Sequence, residues 1–352
     1  AFFKREMPRD VFAVNLRNFK KKKTKAVSLD ETTKEATFNY WGESDKKFYD
    51  INFQSFMLGR ALLGPIIFVY AVLFCRSFVY FSSSGFLISN TRLYEFWLLK
   101  YLRKKIFIIY TGCDGRSRAP SLAWAELNSR DVCCIRCPLK CDTKFRKMQA
   151  HIDDYFATEI FSTIDQIGFN KSFTSFDMFS FPPILLSDFR FNKPELKTIR
   201  VLHAASNPHL RNSKKIEEVF AKINGIEVSG RKIIAEVHYM IPRHELKKMM
   251  SEATIYVNSL TGVILGAASA EAFASGCVVL SGASKDMNSD LPSSLPLISV
   301  NEETLEPQLK KIFEMSDHQL VNLIIEGRKY VEKYHDSQNV IRAFDKAFCK
   351  QD

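Results

Sequence analysis

The chain has 352 residues, of which 46% are hydrophobic and 25% charged, a balance typical of a globular protein that excludes a largely disordered one. Because a single hydrophobic core stops growing at about 250–300 residues, this length predicts two domains. The formal net charge of +11 favours an acidic partner, such as nucleic acid, anionic lipid or a phosphorylated substrate. The sequence contains no RNA-binding aromatic signature, zinc-finger spacing or pair of basic helices, so we expect no nucleic-acid partner.

Helical and strand patterns alternate through the first half of the chain. The predicted helices cover residues 8–22, 51–76, 91–103 and about 142–157. The predicted strands cover residues 26–30, 78–82, 104–112 and 159–163. The Phe- and Pro-rich stretch 165–195 is irregular, as expected of a connection between domains.

The most apolar stretch of the first half is ALLGPIIFVYAVLFC, residues 61–75. Arg60 and Arg76 bracket only fifteen uncharged residues here, fewer than the roughly 18–20 that a membrane-spanning helix needs. Gly64 and Pro65 also interrupt the run. We therefore expect a helix that is buried or faces a membrane, and no transmembrane span.

A new series of elements begins at IRVLHAAS, residues 199–206, which predicts a buried strand. The helix pattern of 214–223 and the strand pattern of 230–240 follow it. Such alternation predicts parallel sheets with right-handed crossovers, in which ligands bind beyond the carboxyl ends of the strands. Final helices are predicted at 303–315, 317–334 and 337–349.

The most informative stretch is 237–282, in which a helix pattern after Pro242 and the strand pattern TIYVNSL lead into a turn with two glycines. A helix of small residues then carries one acid, Glu271. A helix N-terminus offers free amide groups to a diphosphate, and small residues allow close approach, as Gly266, Ala267 and Ala268 do here. Glu271 would accept hydrogen bonds from ribose hydroxyls. The alternative is an ordinary packed helix in which Glu271 pairs with a nearby base.

This order of features resembles the nucleotide-sugar half of glycosyltransferases with two Rossmann-like domains (the GT-B fold), in particular the large retaining group called family 4. In that group the segment reads roughly vP-x-x-eL, then i.v..S, then G-x-x-x-G-x-x-x-x-E-A-x-A-x-G-x-x-V. The resemblance implies an α/β protein whose two parallel sheets face each other across an interdomain cleft. It implies an acceptor domain over 1–180, a donor domain over 181–335, and a C-terminal helix over 336–352 that packs back on the first domain.

The resemblance also implies an activity. The chain would transfer a sugar from a nucleoside diphosphate sugar, UDP- or GDP-linked, to a glycan or lipid-linked acceptor in the synthesis of surface polysaccharide or glycoconjugate. The nucleotide sugar is then a substrate, and no cofactor or metal is expected. The base would be read mainly by backbone around Met240 and Ile241.

The stretch HAASNPHLRNSKK, residues 203–215, is similar to the family's H-A-P-S-N-x-x-x-K-G-T/S turn. Ser206 and Asn207 match its donor-binding positions, and Arg211 stands where the Lys usually falls. Fixed cations here, Arg211 and Lys214, would stabilise the negative charge of the departing phosphate. Pro208 occupies a position where a second base is frequent, which leaves the division of labour between the two cations open. The alternative is a solvated basic helix start.

The stretch YTGCDGRSR, residues 110–118, is similar to the family's H-G-S-D-x-R segment. Gly112 would let backbone approach the donor sugar, and Asp114 and Arg116 would shape the acceptor side. Asp114 is a candidate general base, or else it forms a pair with an arginine that holds the loop. The family's first glutamate would fall on Val263, so retention of configuration is expected from the resemblance without that carboxylate.

Four cysteines cluster at Cys133, Cys134, Cys137 and Cys141, downstream of Cys113. A CxxC spacing permits two metal ligands, but the second, separated CxxC of a zinc site is missing. We expect reduced thiols in a cytoplasmic loop, with bound zinc, an iron–sulfur cluster or an adventitious disulfide as the alternatives.

The predicted basic helices 8–22 and 91–103 and the apolar stretch 55–75 all lie in the acceptor half. Anionic lipid headgroups attract such basic faces. We therefore expect a cytoplasmic enzyme that is peripheral at the inner face of a membrane, or else a solvated basic face beside a core helix. Two other functions remain open: a sugar-nucleotide epimerase of the same fold, and a noncatalytic protein that binds nucleotide sugars.

Overall fold

The structure is a computed structural model that describes residues 11–14, 53–81, 85–87, 92–110, 115–127, 132–137, 143–162, 174–175, 183–191, 196–262, 265–283 and 295–342. These residues fall into two compact units. The first unit contains the described residues up to Ser121 and those of 143–175. The second contains the described residues of 122–137 and all those from 183 onward. The predicted boundary at 180 and the packing of the final helix on the first domain stay predictions.

The first unit contains a five-stranded parallel sheet of order β1-β2-β3-β4-β5. The strands are β1 Val11–Val14, β2 Ser77–Phe81, β3 Lys105–Ile109, β4 Glu159–Ser162 and β5 Thr174–Ser175. The helices between them are α1 Phe53–Phe74, α2 Leu93–Tyr101, α3 Arg118–Leu127, α4 Cys133–Arg136 and α5 Lys144–Phe156. Of these, α4 and the end of α3 belong to the second unit.

The helix predicted over 8–22 is wrong at Val11–Val14, which form the strand β1. This strand pairs in parallel with β2, with Val11 opposite Ser77 and Val14 opposite Tyr80. Val and Phe favour a pleated strand, and the edge of β2 supplies the backbone partners that such a strand needs. Tertiary pairing therefore overrides the helical pattern in this stretch.

One face of the first sheet carries the hydrophobic core. Alternate residues of a strand point to the same face, and here they contact helices α1, α2 and α5. The shared core includes Phe78 and Tyr80 of β2, Ile106 and Ile108 of β3, Phe68 and Ala71 of α1, Phe96 and Leu99 of α2, and Phe156 of α5. In the described part of the chain, no helix has the length and apolar character that a membrane crossing requires.

A buried carboxylate holds the loop after β2. Glu95 of α2 accepts hydrogen bonds from the backbone amides of Phe86, at 3.0 Å, and Leu87, at 2.6 Å. The hydroxyl of Tyr80 lies 3.2 Å from the same carboxylate. Burial raises the pKa of Glu95, and the two amides oppose that rise. The carboxylate thus fixes residues 85–87 against the helix.

The second unit contains a six-stranded sheet of order β11-β10-β9-β6-β8-β7, parallel except for the edge pair β7 and β8. Its strands are β6 Thr198–Ala205, β7 Glu227–Val228, β8 Arg231–Tyr239, β9 Ile255–Val257, β10 Val278–Ser281 and β11 Ile298–Ser299. Its helices are α6 Pro208–Arg211, α7 Ser213–Ile223, α8 Arg243–Glu252, α9 Ala267–Ser275, α10 Leu305–Phe313 and α11 Asp317–Tyr334. Residues 337–342 are also helical.

The strand order of the second sheet creates a switch point. After β6 the chain adds β8 on one side, and β9 then pairs with β6 on the other side. The loops that leave β6 and β9 therefore diverge, and a crevice forms between their carboxyl ends, where doubly wound sheets bind ligands. This is the position that the fold provides for a site.

Candidate functional site

The turn after β6 is short and is fixed by its own side chains. Ser206 and Asn207 are exposed. Asn207 caps α6, since its side-chain oxygen accepts from the amide of Leu210 at 3.3 Å. Asn212 then adopts a left-handed backbone conformation with φ 56°, which separates α6 from α7. The turn thus presents Arg211 on one side of this bend and Lys214 on the other, where Lys214 is exposed.

The buried His203 lies beneath this turn. Its Nδ1 lies 2.7 Å from the carbonyl oxygen of Val257 and its Nε2 lies 2.8 Å from Oγ of Ser213. Because a carbonyl oxygen can only accept, Nδ1 carries the proton, and Nε2 accepts from the Ser213 hydroxyl. Burial lowers the pKa of His203 to about 4, so the ring is neutral. The ring therefore connects β6, the end of β9 and the start of α7.

Arg211 is joined to the first turn of α9 through one asparagine. Nη1 of Arg211 donates to Oδ1 of Asn258 at 3.3 Å. Nδ2 of Asn258 donates in turn to Oγ of Ser269 at 2.8 Å. Asn258 is buried and directly follows β9, so this chain of contacts spans the switch point. The structure thereby brings together a cation predicted from one motif and a helix start predicted from another.

The amino end of α9 has the small residues that the sequence indicates. Gly266 precedes the helix, and its carbonyl oxygen accepts from the amides of Ser269, at 3.0 Å, and Ala270, at 3.2 Å. The first amides of a helix have no intrahelical acceptor. The amides of Ala267 and Ala268 therefore have no acceptor within the helix. Ala267 is exposed and Ala268 is half-buried. Such a helix end attracts an anion.

Glu271 is buried in α9 and forms an ion pair with Arg243, the first residue of α8. Burial raises the pKa of the Glu271 carboxyl, while the Arg243 guanidinium opposes the rise. The contact uses Oε1 of Glu271. The carboxylate is thus paired with a base at the start of α8.

The loop after β8 leaves the sheet beside the end of β6. Met240 has a left-handed backbone with φ 55° and donates its amide to the carbonyl oxygen of Ala205 at 3.2 Å. Its side chain is exposed, and that of Ile241 is half-buried. Tyr239 donates its hydroxyl to Glu217 at 2.6 Å, and burial together with this carboxylate raises the pKa of Tyr239 to about 12.

A short segment from the first half of the chain supports the turn after β6. Oε1 of Glu302 lies 2.5 Å from Nη2 of Arg136 and 2.5 Å from Nδ2 of Asn212. Arg136 ends α4, which lies within the cysteine-rich stretch. In this stretch Cys134 is buried and Cys137 half-buried. Within the described ranges, no three His, Cys, Asp or Glu side chains are grouped so as to hold a metal ion.

The residues predicted in the first half of the chain stay predictions. Arg116 belongs to the first unit, where it is half-buried. Gly112, Asp114 and Cys141 lie outside the described residues, as does Val263. Three residues that the sequence motifs left without a role, His203, Asn258 and Arg243, contribute to the site. His203 carried a signal as the first residue of the stretch similar to H-A-P-S-N, and Asn258 carried one because it directly follows a strand at the edge where ligands bind.

No protein-family model and no curated protein sequence matches the chain. Several solved structures are similar to the chain. Sucrose-phosphate synthase from Thermosynechococcus elongatus has a TM-score of 0.53 and 11% identity, over 82% of this chain and 77% of that chain. HepE from Anabaena, in complex with UDP-glucose, has a TM-score of 0.53 and 9% identity, over 83% and 84%. A mutant of TarM from S. aureus, in complex with Fondaparinux, alpha-GlcNAc-glycerol and UDP, has a TM-score of 0.50 and 8% identity, over 77% of this chain and 55% of that chain.

At these identities the likeness shows the fold. The chain is an α/β protein with two parallel sheets and the GT-B fold of two Rossmann-like domains, as the sequence predicts. The similar structures named above are GT-B glycosyltransferases.

Proposed function

We propose that this chain is a glycosyltransferase that moves a sugar from a nucleoside diphosphate sugar to a glycan or lipid-linked acceptor. The observation that carries the proposal is the chain of contacts from Arg211 through Asn258 to Ser269. It holds a cation beside a helix N-terminus, so both act on one anion. A diphosphate needs this combination of amide donors and positive charge. The complexes of HepE with UDP-glucose and of TarM with UDP support the same class of donor.

In the proposed reaction the bond between the anomeric carbon and the diphosphate oxygen breaks, and negative charge develops on the departing phosphate. Arg211 and Lys214 stabilise that charge, and the amides of Ala267 and Ala268 bind the diphosphate. Because these cations are part of the protein, we propose a reaction without a metal. The acceptor hydroxyl forms the new bond and loses a proton, for which Asp114 is the proposed base. The resemblance to family 4 favours retention of configuration.

The nucleoside is proposed to lie between the loops after β6 and β8. Glu271 accepts hydrogen bonds from the ribose hydroxyls, while its contact with Arg243 keeps the carboxylate oriented. Ser206 and Asn207 contact the donor from the exposed turn. Backbone near Met240 and Ile241 reads the base, UDP- or GDP-type. We propose surface polysaccharide or glycoconjugate synthesis as the setting, with Gly112 and Arg116 on the side of the sugar and acceptor.

The first experiment measures thermal unfolding with UDP, GDP, ADP, CMP and dTDP, each alone and with Mg²⁺. A ligand at a hundred times its dissociation constant adds about 2.7 kcal/mol to the free energy of unfolding. One nucleoside diphosphate is expected to stabilise the protein. That gain should disappear in Arg211→Gln and in Glu271→Gln. It should persist in Lys215→Gln, which removes a neighbouring cation that pairs with Glu218.

The second experiment incubates the protein with the sugar form of that nucleotide and a panel of acceptors. Transfer of the sugar to an acceptor supports the proposal. Isomerisation of the donor without an acceptor would identify an epimerase instead, and nucleotide binding without turnover would identify a noncatalytic binding protein. A lack of response to every nucleotide would remove the basis for the proposed site.

A further inference from the structure

The three helices that cover one face of the first sheet form a continuous outer layer. The sheet order follows the chain order and every pairing is parallel, so right-handed crossovers place successive helices on the same face. The shared hydrophobic core confirms this for α1, α2 and α5. Their inner sides contact the strands, and their outer sides are free of the sheet.

The outer sides of α1 and α2 are apolar although they are exposed. On α1 the exposed side chains include Ile66, Val69, Tyr70, Leu73 and Phe74, and Leu73 is 70% exposed. On α2 they include Tyr94, Trp97 and Tyr101, which lie on one side of the helix at intervals of three and four residues. Trp97 stacks on Tyr101 with ring centroids 5.8 Å apart. Clusters of this size on a soluble surface mark an interaction site.

Cations accompany these apolar side chains. Arg76, Lys100 and Arg103 are exposed at the carboxyl ends of α1 and α2. Those two ends are tied together, because Nζ of Lys104 donates to the carbonyl oxygen of Cys75 at 2.8 Å. In the described stretches 64–76 and 92–105 the single acidic residue, Glu95, is buried.

The neighbouring helix α5 continues the same pattern. Lys144, Lys147, Met148, His151 and Tyr155 line a groove of about 470 Å³ along it. The acids of α5 are Asp153, which is buried, and Asp154, which is half-buried. The outer layer of α1, α2 and α5, here called the aromatic-basic face, is thus positively charged.

We propose that the aromatic-basic face binds an anionic lipid bilayer. Exposed Trp and Tyr side chains prefer the boundary between headgroups and acyl chains, and flanking Lys and Arg side chains contact anionic headgroups. A second copy of the chain is a poor occupant, since two such faces would bring their cations together. The proposal concerns the first unit alone, so it stands or fails independently of the proposed activity.

The test measures co-sedimentation of the full chain with vesicles of phosphatidylcholine, with and without phosphatidylglycerol. Binding is expected only with phosphatidylglycerol, and it should weaken as salt is added. The triple variant Arg76→Gln, Lys100→Gln and Arg103→Gln should bind roughly a hundredfold more weakly, at about fivefold for each cation. The matched control changes three exposed lysines of the second unit, namely Lys232→Gln, Lys248→Gln and Lys311→Gln, and should bind as the unchanged protein does.

A second pair of variants tests the apolar part of the face. Trp97→Ser with Tyr101→Ser should weaken binding, whereas Leu127→Ser with Leu185→Ser, which changes two exposed residues elsewhere, should not. The chain has three tryptophans. With the other two replaced by Phe, the emission of Trp97 should shift to shorter wavelength on vesicles that contain phosphatidylglycerol.

Three outcomes would overturn the proposal. The first is equal binding to both kinds of vesicle, or none. The second is weakening of binding by the control variants as strongly as by the variants of the face. The third is a protein that is dimeric in solution and becomes monomeric in Trp97→Ser with Tyr101→Ser, or one that binds a soluble acidic protein through this face and ignores vesicles.

Discussion

The buried His203 makes the stability of the second unit depend on pH. Its pKa is lowered from 6.5 to about 4 by burial, and its side chain is inaccessible to solvent. At a pH between these two pKa values, the His203 side chain is protonated in the unfolded chain and neutral in the folded chain. The free energy of unfolding therefore falls as the pH falls from 6.5 towards 4, and is fully retained above 6.5.

The magnitude follows from the size of the pKa change. One pKa unit corresponds to about 1.4 kcal/mol, so the full change in the pKa of His203 lowers the free energy of unfolding by about 3 kcal/mol at low pH. Between about pH 7 and about pH 5 the loss is about 2 kcal/mol, because the unfolded histidine is then mostly protonated and the folded one is not. For a unit of this size, such a loss lowers the midpoint of thermal unfolding by about 4–8 °C.

Urea unfolding of the unchanged protein and of His203→Gln at both pH values provides the assay. His203→Gln should be less stable at about pH 7, because two buried hydrogen bonds are altered, but that gap should narrow by about 2 kcal/mol at about pH 5. The control His209→Gln changes an exposed histidine of the same turn and should keep the pH dependence of the unchanged protein. If unfolding has two transitions, the one shifted in His203→Gln reports the second unit. If the free energies of unfolding of the two proteins differed equally at both pH values, the reasoning would be refuted.

Three further substitutions have expected outcomes. In Gly282→Ala the new Cβ would lie 2.5 Å from the carbonyl oxygen of Leu260, so the loop after β9 must move; thermal unfolding should show lower stability and loss of the nucleotide response. Arg243→Gln leaves the buried carboxylate of Glu271 without its cation, which should cost about 1–3 kcal/mol in urea unfolding at neutral pH. The cost should shrink as the pH falls, because burial raises the pKa of this carboxyl and the loss of the Arg243 cation raises it further, so protonation relieves the buried charge. Glu95→Gln keeps one oxygen for two backbone amides, so urea unfolding should show the first unit destabilised by about 1–3 kcal/mol, while nucleotide binding by the second unit persists.

Local patterns were sufficient to predict most elements of the second unit. The strand pattern at 199–206 and the helix pattern at 214–223 correspond to β6 and α7, because side chains that alternate or repeat every three to four residues can bury only one face. The small residues before Glu271 predicted the start of α9 for a similarly local reason, since Gly and Ala leave backbone amides accessible. The resemblance to GT-B glycosyltransferases depended on the order of these local features, and the structure confirmed the fold that it implies.

Contacts between distant parts of the chain decided what the sequence alone left open. β1 is a strand because β2 supplies its backbone partners, 66 residues away at the first pair, Val11 with Ser77. The contact of Glu271 with Arg243 of α8 joins residues 28 positions apart, which no local pattern could predict.

The sequence by itself therefore determined the alternation of helices and strands, the GT-B class and the candidate residues near each strand end. Only the tertiary structure decided which of those residues meet, as Arg211 does with Asn258 and His203 with Ser213. The physical reason is that the periodicity of a sequence shows only which side of a helix or strand is buried. A hydrogen bond requires two atoms within about 3 Å of each other. The order of the strands in the sheet decides which loops come that close.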